Sequence, residues 1–331
     1  MDGATASLVP EPGGLYTTSD LLGGWVAGDE RSYAATLDAR VFRSAAAEGL
    51  RVPASDDTAL RRALHDHAVT RALNARVKGR RVVAFMGGHR LARDSAAYAL
   101  VADIAWELTR RDHLVLTGGG PGAMEAAHLG ARLATAPHDD LVAERAVLAA
   151  QPAFPPYRQS ELLGPDGGFD PGLLAALHAW QAPAFEVAAR RPVASSGVSF
   201  GVPTWLYGHE PPTPLATAHA KYFDNSIRED GLLAVAKAGV IYAEGSAGTL
   251  QEVFQDAAQN HYRSVDDTSS PMVFLDIDEF WTVRRPVRLL LEGLFDEEAE
   301  ALLHFVTTPE AAVAAIESGT QTLTPDLLPS P

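Results

Sequence analysis

The segment EGSAGTLQE, residues 244–252, combines small loop residues with a carboxylate. Small residues let an anion approach the backbone closely, and the first N–H groups of a helix have no acceptor within that helix. Glu252 lies one turn into the predicted helix, and Arg228 precedes the segment in the run NSIRED. Arginine binds phosphate in a bidentate manner, and a carboxylate beside a bound sugar stabilises positive charge or positions water. We therefore predict a phosphate site at this segment, with Glu252 close to the bound group.

Two further glycine loops resemble the first in their setting. One follows the apolar run 81–86, and the other, GGGPGAME, follows the apolar run 113–117. Three loops after three strands of one parallel sheet lie at the same edge, where such sheets bind ligands. The predicted phosphate- or nucleotide-binding residues are Gly87, Gly88, Gly119, Gly120, Gly122, Met124, Glu125, Gly245, Ser246, Ala247, Gly248 and Thr249.

The order of apolar runs and helical patterns predicts the fold that positions these loops. Strands are expected at 81–86, 113–117, 198–206, 240–242 and 272–277, with helices between them. This alternation indicates an α/β protein with a doubly wound, Rossmann-like parallel sheet and helices on both faces. A helix capped at Ser55 is expected to bury Leu60, Leu64, Val69, Leu73 and Val77. Residues 284–304 are expected to form one or two amphipathic helices.

Proline and glycine positions divide the chain further. Residues 1–78 are predicted to form a largely helical N-terminal extension, and residues 79–320 the nucleotide-binding domain. Many prolines interrupt the alternation at about 135–195, which indicates a helical, Pro-rich insertion. Residues 321–331 are predicted to be a disordered tail.

Composition excludes several classes of function. The 331 residues carry 42 acidic and 27 basic side chains, a net charge of -15, which argues against nucleic-acid binding. Cysteine is absent, so disulfides and thiolate chemistry are excluded. The sequence contains neither a run of about 18 apolar residues nor a signal peptide. We expect a cytoplasmic protein without a membrane partner.

Known cofactor and metal motifs do not match. The chain lacks a GxGxxG dinucleotide fingerprint and a GxxxxGK[ST] loop. His209, Glu210 and His219 do not have the HExxH spacing of a zinc site. We expect no metal and no cofactor. His89, His219 and Lys221 are open alternatives, either as pocket residues or as ordinary surface or flanking side chains.

Two motifs resemble those of a known family. GGGPGAMEAAHLGA resembles the GGGxxGxM segment of LOG-type proteins, the cytokinin riboside 5′-monophosphate phosphoribohydrolases, and EGSAGTLQE resembles their PGGxGTxxE motif. The resemblance covers roughly residues 80–134 and 195–280. It implies a Rossmann-like dimer whose glycine loops hold a nucleotide 5′-phosphate, with Glu252 and Arg228 beside the ribose as the catalytic residues. Glu244 and Ser246 replace the proline and second glycine of the motif.

These observations predict hydrolysis of a nucleoside 5′-monophosphate, an AMP-like small molecule, to free base and ribose 5-phosphate. The expected assembly is a homodimer or a higher homo-oligomer. One alternative is a non-catalytic nucleotide-binding or molybdenum-cofactor-binding protein, which Glu244 and Ser246 favour. Another is a structural homologue whose insertion serves a partner. From the residues alone, Glu252 also fits a solvated or capping glutamate, and Arg228 an exposed helix arginine.

Overall fold

A parallel sheet of seven strands forms the centre of the protein. The computed structural model of the chain describes residues 7–50, 52–53, 55–208, 210–262, 269–295 and 300–321. The strands have the order β4-β3-β2-β1-β5-β6-β7, and each neighbouring pair is parallel. They are β1 (Arg81–Met86), β2 (His113–Thr117), β3 (Ser199–Gly201), β4 (Ala218–His219), β5 (Gly239–Tyr242), β6 (Met272–Leu275) and β7 (Leu303–Val306).

Helices cover both faces of this sheet. They are α1 (Thr18–Leu22), α2 (Leu37–Glu48), α3 (Asp56–Val77), α4 (Ala96–Arg110), α5 (Ala123–Leu133), α6 (His138–Ala149), α7 (Pro171–Arg190), α8 (Asn225–Val235), α9 (Ala247–Tyr262), α10 (Val287–Glu292) and α11 (Pro309–Gln321). Short 3₁₀ turns lie at Ser32–Ala35, Gln159–Glu161, Val193–Ser195 and Ile277–Glu279, and a π-helical turn at Phe280–Arg284.

Side chains of each central strand alternate between two apolar cores. In β1, Val82, Ala84 and Met86 pack on the side of α3, α8 and α9, whereas Val83 and Phe85 pack on the side of α4, α5 and α11. Strands that are buried on both faces need apolar residues at successive positions, which explains the continuous run of this segment. The predicted doubly wound α/β fold is confirmed.

Side-chain caps fix the start of the helix that carries Arg228. Asp224 accepts hydrogen bonds from the backbone N–H groups of Ser226 (2.8 Å) and Ile227 (3.2 Å). The carboxylate of Asp66 in α3 in turn accepts the N–H of Asp224 at 2.7 Å. These bonds satisfy donors that a helix start leaves free. The position of α8 is therefore tied to the segment before β1.

The sheet differs from the prediction at both edges. β3 ends at Gly201 instead of continuing to 206, because Pro203 lacks the N–H that a strand must donate. β4 was not predicted. The helix predicted through residue 304 is wrong at Leu303–Val306, which forms the edge strand β7. The residues of β7 are only half-buried, so their pattern is that of an amphipathic segment.

The first half of α3 buries polar residues where leucines were expected. Leu60 and Leu64 are 60% and 59% exposed. His65 and Asp66 are buried instead, with 2.8 Å between His65 Nδ1 and Asp66 Oδ1 and 2.8 Å between His65 Nε2 and the Tyr16 hydroxyl. This network joins the start of the chain to α3. A buried polar network keeps its place when its groups are paired.

The segment 135–195 contains α6, α7 and irregular chain rich in proline. The division of the chain into an extension of 1–78 and a domain of 79–320 stays a prediction. The predicted tail falls almost wholly on residues 322–331, which lie outside the described residues. Within the described ranges, no helix has the length and apolar character that crossing a membrane requires.

Close packing between α4 and α5 predicts a difference between two helical glycines. A Cβ at Gly130 in α5 would lie 2.0 Å from the carbonyl oxygen of Ala102 in α4, whereas a Cβ at Gly231 in α8 would meet no atom within 4 Å. We expect Gly130→Ala to lower the free energy of unfolding by about 1–3 kcal/mol through overpacking. Gly231→Ala should raise it by up to about 1 kcal/mol because alanine favours helix. Denaturant unfolding measures both, and an unchanged stability of Gly130→Ala would contradict the packing described.

Candidate functional site

A pocket lies at the carboxyl edge of the sheet, between β1 and β5. The chain leaves β1 towards α4 on one face and leaves β5 towards α9 on the other, so the two strands form a topological switch point, where open α/β sheets bind ligands. The lining residues are Phe85, Met86, Gly87, Gly88, His89, Gly118, Gly120, Met124, Pro203, Thr204, Tyr207, Glu210, Arg228, Glu229, Ser246, Gly248, Thr249 and Glu252.

Three glycine loops meet at this pocket through backbone hydrogen bonds. The N–H of Gly88 donates to the carbonyl of Glu244 (2.9 Å), and the carbonyl of Gly88 accepts the N–H of Ala123 (3.2 Å). Gly122 has a φ of +70°, and a Cβ there would lie 2.3 Å from the Gly88 oxygen. A Cβ on Gly87 would lie 2.7 Å from Ala123 Cβ. Only glycine permits this approach, so the three loops form one continuous surface.

The N-terminus of α9 opens into the pocket. The Ser246 carbonyl accepts the N–H of Leu250 (3.1 Å), so Ser246 precedes the first helical residue, Ala247. A Cβ added to Gly248 would meet no atom within 4 Å, so Gly248 borders open space in the pocket. The backbone N–H groups here, together with the dipole of a helix of 16 residues, favour an anion.

Glu252 lies at the next turn of α9, half-buried in the pocket wall. Burial raises the pKa of its carboxyl to about 7, and the carboxylates of Glu229 and Glu210 add to this rise, while the positive charge of Arg228 opposes it. No group in the described ranges donates a hydrogen bond to the Glu252 carboxyl. Its two protonation states are therefore close in free energy at neutral pH, as in many catalytic carboxyls.

Arg228 is held against the second glycine loop. Its Nε donates to Asn225 Oδ1 (2.9 Å), its Nη2 to Glu229 Oε1 (2.8 Å) and its Nη1 to the carbonyl of Val202 (3.4 Å). A Cβ on Gly118 would lie 3.3 Å from Nη1. The side chain is 8% exposed. A guanidinium has five N–H donors, so this fixed group keeps donors for an anionic ligand.

Acidic residues form the remaining polar wall. Glu210 Oε1 lies 3.1 Å from His89 Nδ1. Glu229 accepts hydrogen bonds from Asn225 Nδ2 (2.7 Å) and Gln251 Nε2 (2.9 Å), in addition to Arg228. The described lining residues thus supply three carboxyl groups and one guanidinium, and other groups that could bind an anion are backbone N–H groups.

The pocket brings together most of the residues that the sequence indicated. Of these, the lining residues are Gly87, Gly88, Gly120, Met124, Arg228, Ser246, Gly248, Thr249 and Glu252. Four others are not among the lining residues, namely Gly119, Gly122, Gly245 and Ala247. Gly245 leaves room for the side chain of Thr249, whose hydroxyl would lie 2.1 Å from a Cβ at 245.

Glu125 lies away from the pocket. Its side chain is fully buried and accepts hydrogen bonds from Arg93 Nε and Nη2, both at 2.7 Å. A carboxylate in such a bidentate pair is not available to a ligand. Glu125 therefore supports the start of α5 from behind.

The three residues whose role the sequence left open differ in their position relative to the pocket. His89 lines the pocket, whereas His219 and Lys221 are buried outside it, and Lys221 Nζ pairs with Asp38 Oδ1 at 2.6 Å. His209 lies outside the described residues. Among those that are described, no three His, Asp or Glu side chains form a group that could hold a metal ion.

Sequence reasoning did not identify Tyr207 and Glu210 as pocket residues. Both lie in the irregular connection from β3 to β4, where no periodic pattern indicates direction. The sequence analysis considered Glu210 only as a metal ligand. The position of its segment after β3 could have indicated that it lies near the pocket. Glu229 was noted only as a departure from the family motif.

No protein-family model matches the sequence, and no curated protein matches it. The structure is similar to that of a molybdenum cofactor binding protein from Rippkaea orientalis, with 14% identity, 73% of this chain and 98% of that chain covered, and a TM-score of 0.40. A Moco carrier protein from Chlamydomonas reinhardtii is 13% identical, with 74% of this chain and 99% of that chain covered and a TM-score of 0.42. A protein called TM1055 is 18% identical, with 72% of this chain and 99% of that chain covered and a TM-score of 0.42. Structural similarity of this degree does not indicate which ligand or activity this protein has.

The raised pKa of Glu252 predicts a pH-dependent effect on stability. Below pH 4.5 the carboxyl is protonated in both the folded and unfolded states; between pH 4.5 and about 7 the unfolded state ionises first, so folding loses stability as pH rises. Glu252→Gln removes this loss. We therefore compare the free energy of unfolding of the variant with that of wild type at each pH. The difference should shift in favour of the variant by up to about 3 kcal/mol between pH 4 and pH 8.

Denaturant unfolding of both proteins at pH 4, 6 and 8 measures this difference. Burial also raises the pKa of Asp256 to about 7, but Asp256 is present in both proteins, so its contribution cancels in the comparison. The exposed Glu279 supplies a control, because Glu279→Gln should show no comparable trend. A stability difference for Glu252→Gln that stays constant with pH would contradict the environment described.

Proposed function

We propose that the protein hydrolyses the N-glycosidic bond of a nucleoside 5′-monophosphate and releases the free base and ribose 5-phosphate. The observation that carries this proposal is the Glu252 carboxyl, which lies in the pocket near the open N-terminus of α9 and accepts no hydrogen bond from the part of the chain that the structure describes. The same helix thus offers an anion site and a carboxyl, because Glu252 follows Gly248 by four residues, or about 6 Å along the helix axis. A ribose 5-phosphate spans such a distance between its phosphate and its anomeric carbon.

In this proposal the phosphate accepts hydrogen bonds from the backbone N–H groups at 246–249, where Gly248 leaves the surface open. Arg228 supplies the positive charge that these neutral groups lack. Its fixed guanidinium also favours the ionised form of Glu252 by lowering the pKa of that carboxyl. The phosphate therefore sets the position of the ribose relative to Glu252.

Cleavage of the bond between C1′ and the base nitrogen leaves positive charge on the ribose ring, as in glycoside hydrolysis. The Glu252 carboxylate stabilises that charge and orients a water molecule towards C1′. The water oxygen bonds to C1′, and its proton ends on the departing base.

A second candidate is a non-catalytic carrier of a nucleotide or of the molybdenum cofactor. The observation that favours it is the set of three carboxyls, Glu210, Glu229 and Glu252, around one guanidinium. A half-protonated Glu252 tolerates an anionic ligand without acting on it. The carboxylate of Glu244 is not a lining group, and its carbonyl is bound by Gly88, so its presence in the loop does not decide between the two candidates.

We propose that the protein acts as a cytoplasmic homodimer, with α9 at the interface between two copies. Phe254 and Tyr262 on this helix are 40% and 76% exposed, whereas Asp256 and Asn260 face the interior, where Asp256 accepts the Tyr242 hydroxyl. Phe254 and Tyr262 are eight positions apart, about 80° around the helix, so both can offer apolar surface to one partner. Light scattering should give twice the mass of one chain, and Phe254→Asp should shift it towards one; a single-chain mass for wild type would refute the dimer.

Turnover separates the two candidate functions. We expect the pure protein to release free base from at least one of AMP, GMP, CMP, UMP and an N6-modified AMP, as detected by chromatography. Glu252→Gln should lower kcat by about 10²–10⁴-fold while nucleotide binding persists. The kcat of wild type should rise with pH through about 7, because ionisation activates the carboxylate.

Glu279→Gln, an exposed carboxylate change, serves as the matched control and should keep full activity. Binding of a nucleotide without any release of base would favour the carrier. Full activity of Glu252→Gln would remove Glu252 from the mechanism.

A further inference from the structure

One buried guanidinium connects the glycine loops of the pocket to the Pro-rich insertion, residues 135–195. Arg93 follows the first glycine loop and is 1% exposed. Its Nε and Nη2 donate to the two carboxylate oxygens of Glu125, both at 2.7 Å, and the Tyr98 hydroxyl donates to Glu125 Oε2 at 3.0 Å. Because Glu125 lies in the first turn of α5, this pair fixes the first loop against the helix that follows the second loop.

The insertion completes the surroundings of this guanidinium. Arg93 Nη1 donates to the carbonyl of Trp180 in α7 at 2.7 Å, and the guanidinium carbon lies 3.8 Å from the centre of a Trp180 ring. The backbone N–H of Arg93 donates to the carbonyl of Pro152 at 3.0 Å. A buried ion pair is costly unless its remaining donors are satisfied, and here the insertion satisfies them.

A second path from the insertion reaches a lining residue of the pocket. The Phe154 ring packs edge-on against Trp180, with ring centres 4.9 Å apart, and edge-on against His89, with ring centres 6.0 Å apart. His89 in turn pairs with Glu210. Phe154 is itself buried. The insertion therefore contacts the first loop on both sides, at Arg93 beneath it and at His89 beside the pocket.

We infer that the insertion is a positioning element of the site, in which Trp180 and Phe154 hold the first two glycine loops in their ligand-binding geometry through Arg93 and His89. Trp180 and Phe154 touch no group that we assign to catalysis. The loops are short, glycine-rich and bonded to each other, so a shift of Arg93 moves both. The effect on ligand binding rests on the proposed function, whereas the effect on the loops does not.

A matched tryptophan separates loop positioning from general stability. Trp106 in α4 also stacks with an arginine, with the Arg110 guanidinium carbon 4.5 Å from its ring centre, and its Nε1 donates to the Leu133 carbonyl at 3.0 Å. Trp106 does not line the pocket. The buried Nε1 of Trp180 has no hydrogen-bond partner in the described part of the chain, so replacement of Trp180 forfeits no side-chain hydrogen bond.

The test compares Trp180→Leu with Trp106→Leu in the full-length protein by amide hydrogen exchange under native conditions. We expect Trp180→Leu to speed exchange at 87–92 and 118–124 at least fivefold and Trp106→Leu to leave those segments unchanged. Phe154→Leu, a smaller change, should speed exchange at 87–92 in the same direction and supplies the test if Trp180→Leu does not fold. Unchanged exchange in both loops, with only a lower melting temperature, would overturn the inference.

Titration with AMP gives the functional readout. Trp180→Leu should raise the Kd for AMP at least tenfold, whereas Trp106→Leu should bind AMP with the affinity of wild type. Wild-type protein that binds no nucleotide would refute the proposed function but leave the exchange result as the test of positioning. Faster loop exchange together with an unchanged Kd would overturn the claim that this positioning serves ligand binding.

Discussion

The pairing of β1 with β5 is the constraint on which the site depends. It places the loops after both strands side by side, where the N–H of Gly88 donates to the carbonyl of Glu244. Both loops are short and rich in small residues. Each therefore relies on backbone contact with the other, and the glycine at 122 allows the third loop to join them. The pocket is the space that remains between these backbones.

Electrostatics sets what this pocket can do. The chain carries a net charge of -15, and the pocket repeats this excess with Glu210, Glu229 and Glu252 around Arg228. In the proposed complex, backbone N–H groups and one guanidinium hold the anion, and no lysine is among the lining residues that the structure describes. The same acidic surroundings, added to burial, keep the pKa of Glu252 near neutrality. The proposed binding and the proposed chemistry thus both depend on α9 beginning at the pocket.

The central strands and the glycine loops were predictable because local sequence determines them. Strands buried on both faces need continuous apolar runs, as in 81–86, and Ser55 caps α3 as its residue type indicates, accepting the Thr58 N–H at 3.2 Å. Glycine after an apolar run located the three loops at one edge. These features depend on neighbouring residues alone.

Contacts between distant segments were not predictable in the same way. Leu60 and Leu64 have helical spacing, but α3 buries His65 and Asp66 because Tyr16 and the start of α8 pair with them. Nothing near Glu125 in the sequence indicates that its partner is an arginine 32 residues earlier. The acidic wall likewise comes from the irregular connection from β3 to β4, whose course depends on tertiary packing.

The central claim is that the N-terminus of α9 binds the phosphate of a nucleotide. Two helical glycines test it directly, because a Cβ would meet no protein atom within 4 Å at either Gly248 or Gly231, yet only Gly248 lines the pocket. Titration calorimetry with AMP should show that Gly248→Val loses binding at least 100-fold while Gly231→Val binds as wild type does. Equal affinity of the two variants would contradict the account.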